Sequence, residues 1–94
     1  MSGPQKEEPR MLGENHSIHH EFPHWRELTD ELARDDLDFR EMVNEHDKLD
    51  KTIRGLEERE GPISDTEIER MKKRRLQLKD EVYRILLNKA NGEA

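Results

Sequence analysis

Two stretches of this 94-residue chain place side chains at alternating spacings of three and four, and they mirror one another about one helix-breaking pair. Upstream run Phe39, Met42, His46, Leu49, Ile53 and Leu56; downstream run Ile68, Met71, Arg75, Leu78, Val82 and Ile85. Such spacing is the a/d seam of packed helices. In an antiparallel pair, facing residue numbers have a constant sum. Leu56 with Ile68, and each pair out to Phe39 with Ile85, gives 124, twice the number of Pro62. The local signals agree. Gly61 suits a left-handed helix end, Pro62 cannot continue a helix, and Ser64 with Glu67 forms an S-x-x-E capping box. Ile63 and Ile68 stand where a hydrophobic staple requires them. The predicted fold is all-α, an antiparallel two-helix coiled-coil hairpin that turns near 60–64, with a short N-terminal helix and a disordered N-terminal tail.

With 43% charged and 30% hydrophobic residues, the chain has little from which to build a globular core, which fits apolar residues confined to a helical stripe. A formal charge of −6 argues against a general nucleic-acid binder or a protein seated on anionic lipid. No apolar run approaches the roughly 18 residues of a membrane span, and the N-terminus carries no signal-peptide core. A cytoplasmic location is therefore the default expectation. Without cysteine there are no disulfides, thiol nucleophiles or thiolate metal sites.

Residues 1–21 read as a disordered tail, polar and rich in Pro, Gly and charge. Met11 lies inside it, so the first ten residues read either as an appendage or as an extended start. The helical hairpin domain spans 22–90. Pro23 suits a helix first turn, and Trp25, Leu28 and Leu32 follow at helical spacing, giving a short helix from Pro23 to Arg34. Asp35-Asp36 either interrupts that helix or caps the long one running to Arg59. The last helix runs from Asp65 to Lys89, and Asn91-Gly92 ends it, leaving 91–94 as a disordered end.

The seam leaves apolar residues over. Leu76, Tyr83, Leu87 and Ala90 form a second stripe on the last helix, Leu86 and Val43 flank the first, and Trp25, Leu28 and Leu32 also need cover. Either the short helix folds back on that stripe or a second copy covers it. The backbone entropy of two ordered helices exceeds what one seam returns. The balance favours a homodimer or higher oligomer. Among flanking charges, Asp50 is expected to face Lys72 and Arg59 to face Glu67, whereas Glu45 meets Glu81, so the register rests on the apolar seam. Arg75 is the odd seam member; its stem is expected to cover Leu49 while the guanidinium reaches toward Asp50.

Candidate sites are few. His16, His20 and His24 would share one face of a helix, and the i, i+4 spacing of His20 and His24 suits Zn or Ni. Weak helix propensity and Pro23 favour a solvated polar tail, and no metal or cofactor is expected. His46, a seam residue opposite Leu78, is read as packing its ring and bonding a neighbouring side chain, with a pH switch as the alternative. Lys72, Lys73, Arg74, Arg75 and Lys79 form the only basic run. They spread around the helix among Glu67, Glu69, Asp80 and Glu81, the pattern of a solvated face and not of a nucleic-acid interface. No general-acid pair, catalytic triad or phosphate-cradling loop is present, so no enzymatic activity is expected.

Four stretches resemble the YdcH-like family, small bacterial proteins defined as a domain of unknown function. They are Met-Leu-Gly-Glu-Asn-His-Ser at Met11 to Ser17, His-Glu-Phe-Pro at His20 to Pro23, His46 with Leu49-Asp50 and Ile53, and Lys72-Lys73-Arg74-Arg75-Leu76-Gln77-Leu78-Lys79-Asp80-Glu81. The resemblance covers Met11 to Lys89. It implies a cytoplasmic helical hairpin without assigned catalysis, and a natural start at Met11. The expected function is an interaction or regulatory module that self-associates and meets a protein partner through Trp25, Leu28, Leu32, Leu76, Tyr83 and Leu87. The alternative is a nucleic-acid-associated or metal-responsive accessory protein that uses the basic run or the His-rich tail.

Overall fold

The computed structural model describes residues 14–59 and 65–92. The tail up to residue 13 and the Gly61-Pro62 turn with its Ser64 cap and Ile63 staple lie outside the described residues. Among these residues every regular element is helical: α1 (Ile18–Glu21), a 3-10 turn (Pro23–Trp25), α2 (Arg26–Asp35), α3 (Leu37–Glu58) and α4 (Asp65–Ala90).

The break between α2 and α3 is made by Asp36, which both interrupts and caps. Its backbone is extended (φ −131°, ψ 109°), and its carboxylate accepts from the Phe39 N–H, one of the amides that a helix start leaves unpaired. At the far end of α4, Gly92 adopts φ 79°, the left-handed conformation that closes a helix at low cost only for glycine.

α3 and α4 form the predicted antiparallel hairpin. All twelve seam residues are buried or half-buried; Phe39, His46, Ile53 and Val82 are essentially sealed. Cross-helix ion pairs fix the direction: Glu45 with Arg74 (2.9 Å), Asp50 with Arg75 (2.8 Å) and Glu57 with Lys72 (3.0 Å). One pair falls short of the constant sum, one exceeds it, and Asp50–Arg75 lies within one of it. Two expected facings are corrected. Lys72 is taken by Glu57, because Asp50 turns inward and is fully buried. Glu45 and Glu81 do not oppose each other unrelieved: Glu45 has Arg74, and Glu81 has Arg84.

The larger difference lies before residue 22. Residues 16–21, expected in the disordered tail, are part of the fold. Ile18 is 0% exposed and joins Phe22, Phe39, Val82 and Leu86 in one core cluster, with Trp25, Leu28, Leu32, Met42, Val43 and Ile85 packed around it. The physical reason is a pair the composition hid: Ile18 and Phe22 are four apart in a polar stretch, so one helical turn aims both at α4. A fully buried Ile or Phe returns about 1.5–3 kcal/mol. This strap, together with α2, supplies within one chain the cover that the hairpin alone lacks.

Candidate functional site

The strap is held by side chains that reach out from the hairpin. Asp47 of α3 accepts from the Ile18 N–H at 2.9 Å, satisfying the first amide of α1, whose own cap residue Ser17 makes no side-chain cap bond. Asp50 accepts from the His16 N–H at 3.2 Å. From α4, Lys79 donates to Glu21 at 2.5 Å, and Glu21 also meets His16 Nδ1 at 2.9 Å. Burial pushes the Glu21 carboxyl up, but the hydrogen bonds from Lys79 and His16 and their charges outweigh it, leaving its pKa below the ordinary carboxylate range.

Asp50 is the hub. Its side chain is fully buried and takes three donors: Arg75 Nη1 at 2.8 Å, Arg54 Nε at 3.1 Å and the His16 amide. A carboxylate removed from water is stable only when paired and hydrogen-bonded in this way. Arg75 does reach Asp50, as its place in the seam predicts. The pairing also explains the cation: Arg75 sits in the seam because a buried carboxylate one layer away requires it.

One turn before Asp50, His46 is 1% exposed. Its Nδ1 lies 3.0 Å from Asp47 Oδ1. A carboxylate only accepts, so Nδ1 donates to it, and in the neutral ring Nε2 is left with a lone pair. Nε2 is buried and has no partner among the described residues. An unpaired buried acceptor costs about 1–3 kcal/mol. His46 lines a groove of about 300 Å³ together with His16, Glu21, Lys72, Arg75, Leu76 and Lys79. The groove lies where the strap crosses the hairpin, and its lining carries three cations against one carboxylate.

From the groove edge at Leu76 onward, apolar surface remains on α4. Leu76 is 55% and Tyr83 44% exposed, and their spacing of seven puts them on one face. Phe22 and Trp25 cover part of Tyr83, with ring centroids 5.7 and 5.9 Å away. Leu28, Leu32 and Leu87 are half-buried. Strap and α2 have therefore folded back on the second stripe at Tyr83 and left Leu76 bare.

The histidines of the first segment do not gather. His16 precedes α1 and faces Glu21, His19 pairs with exposed Asp30 at 2.7 Å, His20 is exposed, and His24 stacks on Trp25. α1 ends at Glu21, so the shared helical face that a metal site at His16, His20 and His24 would require is not formed. No cluster of three or more His, Asp or Glu among the described residues is arranged to hold a metal. The basic run is largely spent inside the chain: Lys72, Arg74, Arg75 and Lys79 each have a carboxylate partner. Arg74 and Glu45 stabilise each other's charged forms, raising the one pKa and lowering the other through their hydrogen bond.

The groove is lined from the resembling stretches: His16, Glu21, His46, and Lys72, Arg75, Leu76 and Lys79. Comparison with known proteins agrees. The family described as "Protein of unknown function (DUF465)" matches residues 39–86. The "Uncharacterized protein YdcH" of Escherichia coli (strain K12) is 40% identical over 65 residues, 69% of this chain and 88% of the relative. The YdcH of Shigella flexneri matches equally. This chain belongs to the YdcH-like family. No solved structure matches it significantly. Among the described residues no helix is long and apolar enough to cross a membrane. Nothing in the YdcH-like relatives or in the geometry points to catalysis.

Proposed function

We propose that this YdcH-like protein is a non-catalytic docking module of the bacterial cytoplasm, which binds a protein partner through the outward face of α4. Leu76 carries the reading. More than half exposed on a folded monomer, it lies one turn from Lys72 and Lys79 and two turns from the partly open Tyr83. An apolar anchor ringed by polar groups is the usual make-up of a binding hot spot. Trp25, packed on Tyr83, extends the same face, and Leu28, Leu32 and Leu87 back it from below. A second copy of the chain is one candidate occupant, since a two-fold axis would set the same apolar patch of both copies against each other.

The pairing of the basic run favours this reading over a nucleic-acid one. Phosphate binding draws on unpaired cations along a face, and four of these five are engaged by the chain's own carboxylates. The test is site-specific photo-crosslinking in cells from positions 76 and 83, with exposed Asn44 on α3 as control. The reading requires one defined adduct from 76 and 83 that is absent from 44 and lost when Tyr83→Glu accompanies the position-76 probe. An adduct with the chain itself identifies self-association. Adducts with nucleic acid, or no adduct differing from the control, reject the proposal.

A further inference from the structure

A second property resides in the groove beneath the strap, which shares Leu76 with the docking face. Its lining offers three different chemistries at once. Arg75, Lys72 and Lys79, each paired with one carboxylate of the chain (Asp50, Glu57 and Glu21), keep further N–H donors; Glu21 and the unpartnered Nε2 of His46 are acceptors; Leu76 is an apolar edge. Nδ1 of His46 is held by Asp47, and His46 contributes to the lining with its other ring nitrogen, Nε2, buried and without a partner among the described residues. Arg75 gives one nitrogen, Nη1, to Asp50, and its guanidinium has further donors.

We infer that this groove is a binding site for a small organic acid bearing a hydrogen-bond donor beside its carboxylate, the chemistry of an α-amino or α-hydroxy acid. The carboxylate goes to Arg75 with Lys72 or Lys79, a planar acceptor meeting a planar donor. The adjacent ammonium or hydroxyl donates to His46 Nε2, with Glu21 as a second acceptor for an ammonium. A short apolar side chain lies along Leu76. A volume of about 300 Å³ is at the lower end of small-molecule sites and accommodates an acid of this size. Nε2 is sealed from water in the unliganded arrangement, so entry requires a swing of the long Lys79 or Lys72 side chain, both about one-third exposed. A simple anion such as acetate fills the cationic half alone and leaves the imidazole acceptor unpaired.

The test is a titration of the ¹⁵N-histidine-labelled full chain, followed through the His46 ring nitrogens. The probes are L-leucine, L-lactate, acetate and inorganic phosphate. A hydrogen bond to Nε2 moves its resonance, and that movement should be saturable for leucine or lactate. Acetate and phosphate should bind at least about tenfold more weakly, the effect of one good hydrogen bond. Lys72→Met, which leaves the strap contacts and the His46–Asp47 pair in place, should weaken the effective probe several-fold while circular dichroism stays unchanged. Equal binding of acetate or phosphate would overturn the inference, as would unchanged ring resonances with all four probes.

Discussion

Replacing Asp50 by asparagine keeps the shape of the side chain and removes its charge, which isolates what the buried hub contributes. Asp50 is fully buried and bonded to Arg75, Arg54 and the His16 amide. In Asp50→Asn an amide oxygen in place of Oδ2 can keep Arg54 and the His16 amide, but the amide nitrogen then faces the Arg75 guanidinium with no acceptor between them. Breaking a buried charge pair by removing one partner costs about 3–5 kcal/mol. Arg75 and Arg54 are 18% and 31% exposed, so both can turn toward water and recover part of their hydration. That argues for the lower end, about 3 kcal/mol. Urea unfolding followed by helical circular dichroism reads this directly. Replacing both partners, Asp50→Leu with Arg75→Leu, removes the buried charge altogether and should be less destabilising than Asp50→Asn alone. A loss below about 0.5 kcal/mol for Asp50→Asn, or a double variant worse than either single change, would refute the hub.

Other consequences are direct. Ile18→Ala removes a sealed side chain and should cost about 2–4 kcal/mol by urea unfolding; a residue in a free tail would cost nothing. Glu21 has a lowered folded-state pKa, so its contribution is present above the unfolded value of ~4.3 and is lost as pH falls through the folded one. The stability gap between the native chain and Glu21→Gln should therefore be open at pH 7 and narrow progressively as pH falls below about 4.3, in thermal melts across that range. Gly92→Ala places a Cβ at φ 79° and should cost about 1 kcal/mol although no atom lies near enough to clash.

The hairpin was legible because two independent patterns, the seam and the break at Gly61-Pro62, had to satisfy one register. Helix lengths and the reach of Arg75 toward Asp50 follow from the same reading, whereas Asp35-Asp36 left open whether the chain is interrupted or capped there, and Asp36 does both. Less legible was anything that depends on a few residues in a polar setting. Ile18 and Phe22 are two apolar residues among histidines and carboxylates, and composition reads such a stretch as solvated; their i, i+4 spacing was the available signal. Asp50 looked like a surface charge next to a seam position, and its burial depends on Arg75 and Arg54 converging on it in space. The groove was invisible for the same reason. It exists only where residues 16–21 cross α3 and α4, and periodicity within one helix carries no information about a crossing segment.

The central claim is that the segment around Ile18 and Phe22 is clasped onto the hairpin of its own chain. Nuclear Overhauser contacts from the Ile18 methyls and the Phe22 ring to Val82, Tyr83 and Leu86 test it most directly. A dilute sample with mixed isotope labelling separates contacts within a chain from contacts between copies. The account predicts strong intramolecular contacts, with the His16 and Ile18 amides protected from exchange by Asp50 and Asp47. Random-coil shifts and fast-exchanging amides for residues 16–22, with no contact to α4, would contradict it.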